Sequence, residues 1–321
     1  EILNMNEIIG GTFMNWRMSR WISVPFLHLG RELETITIAE AKSKLNKIIS
    51  KKLPKKITVS SEKMKTPTQL FLFNEIMNYN KLIDEMEETF NKSLINPRSD
   101  EFLDLFKRNK FPKKWANDIK MSSSDNFSSF LNYLNDKYQM MIKWLKNSVV
   151  PSPIDVRLIS NLKSLMLNYL NEIAIQRQMT TDVLNYDFVF SSDSNENDAN
   201  NSAAAAGGGL LLSGLYLVGG NWDFVEKRLI QPNQKTPPIS SMPNCLCIPV
   251  KKSSKSQQQH TFLCPLYRSM PSSPFMLDID KNIIDGVAEN FLWQIPLKSE
   301  LNEKALVSTG VSLICQKPEI F

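Results

Sequence analysis

The chain has 321 residues, enough for two domains, and its 42% hydrophobic content is that of an ordinary folded protein. Its net charge of +5 gathers toward the start, where nine lysines fall between Lys42 and Lys65 with few aromatics among them; that pattern argues against a single-strand nucleic-acid platform and for the wet side of a helix and its loop. No apolar run reaches the ~18 residues of a membrane span and no secretory leader is evident, so neither a nucleic acid nor a membrane is an expected partner.

Residues 1–34 give no clean element. Trp16, Trp21, Phe26 and Leu29 supply apolar mass, Gly10-Gly11 and Pro25 interrupt it, and His28 suits packing better than catalysis. The opening fits a segment cut from something longer. Helical spacing begins at residue 37 and runs to about 53 through Ile38, Ala41, Leu45, Ile48 and Ile49, with Pro54 as the stop. Pro67 starts a second helix reaching about 94. Leu70, Phe73, Met77, Ile83, Phe90 and Leu94 form its expected buried stripe, broadened by Ile76 and Met86, and Asn80 is the polar interruption.

A short helix is expected over 100–109 and a longer one over 126–147. In the longer helix Phe127, Leu131, Leu134, Tyr138, Met141 and Leu145 make a near-heptad seam, and Ser124 and Asp125 are the candidate caps. Pro151 and Pro153 interrupt the backbone before a helix over 159–178 with Leu162, Leu165, Met166, Tyr169, Leu170 and Ile173 on its apolar face. Residues 193–209 are low in complexity and suit an expanded hairpin loop. Strand signals then follow at 210–218, 224–230, 246–250, 262–266, 286–296 and 305–316. The fold class is α+β: an N-terminal helical bundle followed by an antiparallel β-barrel or sandwich. Gly219-Gly220 ends the first of these strands and re-aims Trp222, because glycine alone enters positive φ freely.

Several segments are familiar as an ordered set. Gly214, Leu215, Tyr216, Leu217, Gly219, Trp222 and Asp223 are spaced like a Gly-Leu-(Tyr/Phe)-(Leu/Ile)-x-Gly-x-x-Trp-Asp strand-turn. Asn74-Glu75-Ile76-Met77-Asn78-Tyr79-Asn80-Lys81-Leu82 lies upstream. Pro112 with Trp115, then Trp144, then Thr181-Asp182-Val183-Leu184 come between, and Cys264-Pro265-Leu266-Tyr267-Arg268-Ser269 and Gly310-Val311-Ser312-Leu313-Ile314-Cys315-Gln316 follow. In this order they resemble the C-terminal region of dynein heavy chains. Met270-Pro271-Ser272-Ser273-Pro274 departs from that family, which places an Arg and glycines there, and the 193–209 insertion has no counterpart in it.

The resemblance implies that 1–95 are the end of the last AAA+ small subdomain. It makes 96–185 the helical half of the C-terminal domain and 186–321 its β-barrel half. It further implies a non-catalytic structural and regulatory segment bracing the AAA+ ring of an ATP-driven, minus-end-directed microtubule motor. Implied partners are the ring modules of the same dynein heavy chain, with intermediate and light chains and microtubules reached through the parent complex. Implied localisation is the cytoskeleton, a ciliary axoneme rather than the cytoplasm. Trp115, Tyr216, Gly219, Trp222, Asp223, Pro265 and Tyr267 are the expected structural anchors, with Arg228 or Arg268 as the donor that a buried Asp223 would need.

The chemistry is read from what the sequence lacks. No Gly-x4-Gly-Lys-(Ser/Thr) occurs, so backbone amides have no phosphate cradle, and Gly207, Gly208 and Gly209 lead into leucines. No aliphatic run ends in Asp-Glu to hold magnesium, no His-x-x-x-His is present, and Ser213-Gly214 is preceded by leucines rather than by a nucleophile elbow. His260 lies in a polar loop without identifiable partners. Cys245-x-Cys247 has the wrong spacing for zinc and, with Cys264 and Cys315, suits free buried thiols in a reducing compartment. No catalytic, cofactor-binding or metal-ligating residue is therefore expected; ATP and magnesium belong to the parent motor by resemblance. The alternative is a stand-alone adaptor whose β domain binds a peptide or partner at a sheet edge.

Overall fold

The computed structural model describes residues 38–51, 53–95, 101–118, 126–190, 208–231, 239–252, 261–269 and 290–316. The expectations for residues 1–34, for 193–207, for His260, for the caps Ser124 and Asp125 and for the 270–274 departure lie outside them.

Helix α1 (Ile38–Lys51) buries Ala41 and Leu45 and turns Lys44 and Lys47 to solvent, as the lysine pattern requires. Lys42 leans across to donate from Nζ to the Leu94 carbonyl at 2.8 Å, closing the far end of the next helix. That helix, α2 (Pro67–Ile95), opens on a reciprocal cap. Thr66 N–H donates to Gln69 Oε1 at 3.2 Å and Gln69 N–H donates back to Thr66 Oγ1 at 3.3 Å. Its buried face keeps part of the expected stripe, with Ile76, Ile83, Met86 and Phe90 buried, but is rotated over its first half: Leu70 and Met77 are about half exposed, and Phe71, Leu72, Tyr79 and Leu82 are buried instead. Apolar residues cover more of this helix than one neighbour can bury, so the helix that packs on it chooses the face. Asn80 is used in full: its Oδ1 accepts from Ile57 N–H and its Nδ2 donates to Ile57 O, both at 2.9 Å, pinning the extended stretch after α1.

Two short helices, α3 (Glu101–Lys107) and α4 (Lys113–Asp118), complete an aromatic box with α2 and α5 (Phe127–Asn147). Phe90, Phe102, Trp115, Phe127 and Phe130 meet there with ring centroids 5.3–6.4 Å apart. The α5 cap is Asn126, whose Oδ1 accepts from Ser129 N–H at 2.8 Å. The seam holds, with Tyr138 and Leu145 only partly buried. Helix α6 (Leu162–Gln176) packs against α2 on one side and against strands of the β half on the other.

The β half consists of β1 (Ile154–Asp155), β2 (Leu184–Phe190), β3 (Leu210–Ser213), β4 (Tyr216–Val218), β5 (Asn221–Asp223), β6 (Arg228–Ile230), β7 (Ile239–Ser241), β8 (Cys245–Lys251), β9 (Thr261–Tyr267), β10 (Phe291–Lys298) and β11 (Ser312–Ile314). They form a four-stranded sheet in the order β1-β3-β8-β2, a five-stranded sheet in the order β10-β9-β11-β4-β7, and a β5-β6 ribbon. Each larger sheet contains one parallel pair, β1/β3 and β9/β11, and no closed barrel forms among the described residues. The class is α+β with mixed sheets, which corrects the expected all-antiparallel barrel or sandwich. Parallel pairing arises because β1 comes from the helical half and β11 returns from the far end of the sequence. Both therefore reach their sheets by long connections that place no demand for a reversed direction.

Three strand expectations are also corrected: of the 224–230 run only 228–230 is strand (β6), residues 224–227 forming the turn from β5. The run 210–218 is two strands in different sheets, parted at Gly214 (φ 78°), where a Cβ would come within 2.8 Å of Asp155 Oδ1. The 305–316 span holds helix α7 (Glu303–Ser308) before β11; Asn302 Oδ1 caps it by accepting from Lys304 N–H at 2.9 Å, and Gly310 (φ 68°) ends it. The Gly219 turn stands as read. Its φ is 75°, and a Cβ there would lie 2.9 Å from the Thr309 carbonyl oxygen. One continuous buried cluster runs from Ala41 in α1 to Cys315 after β11.

Gly219→Ala is expected to lower unfolding free energy by about 1–2 kcal/mol from its left-handed backbone alone, with the carbonyl contact adding to it. Gly220→Ala crowds the Leu229 Cδ1 methyl, a side-chain end that can move, and otherwise makes ordinary contacts with Leu217 and Val311, so it loses less. Urea denaturation of the two variants reads the difference, and equal losses would contradict the backbone argument.

Candidate functional site

The anchor residues occupy three places. Trp115 sits in the aromatic box, 2% exposed, with its ring 5.8 Å from Phe90, 5.4 Å from Phe102 and 5.9 Å from Phe130. Tyr216 and Tyr267 share a small cluster with Val218, Ile239 and Ile314 on one face of the five-stranded sheet, and Tyr267 makes an edge contact with Phe291 at 6.0 Å. Pro265 faces Gln294 in the β9/β10 ladder. Trp222 is buried against Phe190, with ring centroids 4.9 Å apart, so the Gly219 turn delivers it into the seam between sheets.

Asp223 does not behave as expected. It is only partly buried, and its Oδ1 accepts from the backbone N–H groups of Val225 (3.0 Å) and Glu226 (3.1 Å), stabilising the turn into β6. Neither suggested arginine serves it: Arg228 pairs with Glu300, and Arg268 turns the other way. A carboxylate next to free backbone amides needs no distant cation.

Arg268 leads to the feature that joins the molecule. It is 2% exposed, and its Nη2 donates to the carbonyls of Ile159 (3.0 Å) and Ser160 (2.9 Å) in the connection between α5 and α6. Its Nε and Nη1 make no hydrogen bond among the described residues. The same connection receives Lys137 of α5, whose buried Nζ donates to Glu75 Oε2 of α2 (2.6 Å), Leu158 O (2.8 Å) and Ser160 Oγ (2.9 Å). Ser160 Oγ donates to Glu75 Oε2 at 2.9 Å. Beside this cluster Arg268 O accepts from Gln316 N–H (2.7 Å) and from Cys315 Sγ (3.4 Å). Tyr133 donates its hydroxyl to Arg157 O at 3.3 Å, and burial raises its pKa. Two helices, the inter-helix connection, β9 and the residues after β11 thus converge on one buried polar cluster. Its lysine and carboxylate are paired with each other inside the core, away from solvent, and fix the relative positions of the elements that carry them.

A family model for the C-terminal domain of dynein heavy chains matches residues 31–315. The protein belongs to that family. No curated protein matches it. Membership places these residues in a dynein heavy chain, within a cytoskeletal motor complex. The motifs that carried the resemblance now have physical roles. Glu75 and Tyr79 lie in the upstream motif, Trp115 in the aromatic box, Trp222 in the seam, and Arg268 in the Cys-Pro-Leu-Tyr-Arg-Ser strand.

Sequence reasoning missed Glu75, Lys137 and Ser160 as a group. Lys137 left a signal, since it falls between Leu134 and Met141 on the apolar side of α5, where a lysine is out of place unless paired. Glu75 likewise interrupts the true buried face of α2. Nothing in the sequence points to Ser160.

Lys137→Met alone leaves Glu75 buried without its cation and is expected to cost about 3–5 kcal/mol, most of it recovered in Lys137→Met/Glu75→Leu. Lys56→Ala, which removes an exposed pair with Asp84 and Glu87, should cost less than the Lys137 single variant. Urea denaturation distinguishes them, and a double variant no better than the single would contradict the pairing. Burial also lifts the Cys315 thiol from 9.0 to about 12, the Tyr169 hydroxyl from 10.0 to about 12, and Cys247 and Cys264 in the same direction. A group raised on folding stabilises fully below its unfolded value and loses that contribution as pH climbs. The urea midpoint should therefore hold through neutral pH and fall from about pH 9 upward.

Proposed function

We propose that this protein is a non-catalytic structural and regulatory element of a dynein heavy chain, bracing the ring of AAA+ ATPase modules in an ATP-driven, minus-end-directed microtubule motor. The observation that supports this most is the Glu75–Lys137–Ser160–Arg268 cluster, which ties helices and sheets into one stiff body. A stiff body touching several modules changes the relative free energies of their open and closed arrangements, and by that route influences hydrolysis and stepping without contacting nucleotide. Residues 1–95 would supply the end of the last ring module, and the two halves after them the brace. ATP and magnesium would be held elsewhere in the same polypeptide. Intermediate and light chains and microtubules would be reached through the complex, with a ciliary axoneme as its setting.

The test uses the full motor polypeptide. Lys137→Met/Glu75→Leu should leave ATP-binding stoichiometry intact while changing microtubule-stimulated hydrolysis and gliding velocity severalfold. The isolated 321-residue protein should hydrolyse no ATP above background. Hydrolysis by that isolated protein, or a motor indifferent to every junction substitution, would overturn the reading. The adaptor alternative would gain if the isolated protein were a well-behaved monomer that captured peptides along a sheet edge.

A further inference from the structure

Among the described residues each of the two larger sheets ends in one short strand and one long one. β1 and β7 have two and three residues, whereas β2 and β10 have seven and eight. A long free edge presents a row of unpaired amides and carbonyls, ready to pair with any extended chain. The ladder fixes which groups of β2 face outward. Lys252 N–H donates to Val183 O at 2.8 Å, so Asn185, Asp187 and Val189 exchange hydrogen bonds with β8, while Tyr186 and Phe188 direct their amides to the open side. Pro249, opposite Tyr186 and with no N–H to give, fits that alternation. Neither outward amide is free. Tyr186 N–H donates to Asn185 Oδ1 at 2.9 Å, and Phe188 N–H donates to Asp187 Oδ1 at 3.0 Å. Asn185 and Asp187 are exposed, yet each turns an oxygen back to the rim of its strand. The same contact recurs on β5, where Trp222 N–H donates to Asn221 Oδ1 at 3.1 Å.

β10 reaches the same end by another route. Arg268 N–H donates to Asn290 O at 2.8 Å, and the bulge between Phe291 and Trp293 carries the alternation onward. Ile295 therefore exchanges hydrogen bonds with Cys264, while Gln294 and Pro296 face away from β9. Pro296 sets a position without an N–H into that outer edge, and β6 approaches its end through the Leu229/Ser299 bridge. We propose that the long sheet edges of this protein are closed to strand addition. Asn185 and Asp187 occupy the outward amides of β2, Pro296 interrupts those of β10, and an extended peptide or a second copy of this chain must displace those contacts before it can pair. Charge is not the cause at β2, since neutral Asn185 makes the same contact as Asp187. The inference stands independently of the bracing role, because Asn185, Asp187 and Pro296 take no part in the buried polar cluster. It bears directly on the adaptor alternative, which needs an open edge.

The test reads amide hydrogen exchange at Tyr186 and Phe188 together with binding of a fluorescein-labelled Lys-Thr-Val-Thr-Val-Thr-Lys peptide to the full 321-residue protein. Asn185→Val/Asp187→Val keeps strand propensity and removes both acceptors. Exchange at the two amides should then rise at least about fivefold, the factor expected for one ordinary hydrogen bond, and the peptide should bind tighter than to the unsubstituted protein by a similar factor. Asn185→Gln/Asp187→Glu keeps polarity and charge but carries each oxygen one methylene further out, and should shift both readings in the same direction. It thereby separates loss of the contact from added apolar surface, and it serves in place of the valine variant should that one not fold by circular dichroism. Pro296→Thr should raise peptide binding at β10 in the same way. Saturable binding to the unsubstituted protein, with new protection at Tyr186 and Phe188, overturns the proposal. So does a gain in the valine variant that the glutamine/glutamate variant lacks, or exchange and binding that neither variant changes.

Discussion

A buried ammonium has three hydrogens and no tolerance for leaving one unpaired. Lys137 places all three, on Glu75 Oε2, Leu158 O and Ser160 Oγ. Removing an ammonium and a carboxylate from water costs several kcal/mol each, and the mutual attraction repays it only when the remaining lone pairs and protons are used. Here the serine hydroxyl completes the circuit, accepting from Lys137 and donating to Glu75. Such a pair is poor evidence of net stability but strong evidence of a fixed arrangement. A slip of α5 along α2 would strand both charges in the core.

The consequence reaches the β half through the backbone. Residues 158–160 link the helices, and their carbonyls are taken up by side chains. Lys137 takes Leu158 O, and Arg268 takes Ile159 O and Ser160 O. Three successive carbonyls are therefore closed by two buried cations, one from the helical half and one from the strand half. Unpaired buried carbonyls are rare because each carries a penalty close to that of a lost hydrogen bond. The connection is the line along which the halves meet, and its polar groups hold it shut. The apolar packing of α6 against α2 and the sheets supplies the bulk of the contact, while the polar cluster fixes its register.

The parts legible in sequence are those governed by local rules. Helix positions follow from periodicity and proline, and the Gly219 turn from backbone sterics; Trp115 and Trp222, singled out by the ordered motifs that resemble the family, are buried. What fails depends on partners distant in sequence. The face of α2 is set by α6, which periodicity cannot weigh against an equally apolar alternative. Strand direction is set by where β1 and β11 arrive, which alternation does not encode. A cation for Asp223 is needed only if its carboxylate is fully buried, and it is not. The run 305–316 reads as strand from its start because Ala305, Leu306 and Val307 are apolar, yet the Asn302 cap and the short helix it starts outweigh that pattern there.

The outward face of α2 bears on how such a body would engage a larger assembly. Leu70 and Met77 stand seven residues apart on one side, with Phe73 between them partly covered, a span of ~10 Å along the helix. Two half-exposed side chains fall far short of the ~800 Å² per partner that a stable protein interface buries. Scattered apolar residues are also normal on any surface. A brace does not need one deep interface, however, when it is covalently part of the machine it supports. Under the proposed bracing role, linkage would keep its effective concentration high, so several shallow contacts would suffice to hold it, each weak enough to be remade as its neighbours move. In that proposal, internal stiffness of the kind the Lys137 cluster would favour becomes the property that matters, because a compliant body would absorb a neighbour's displacement instead of passing it on.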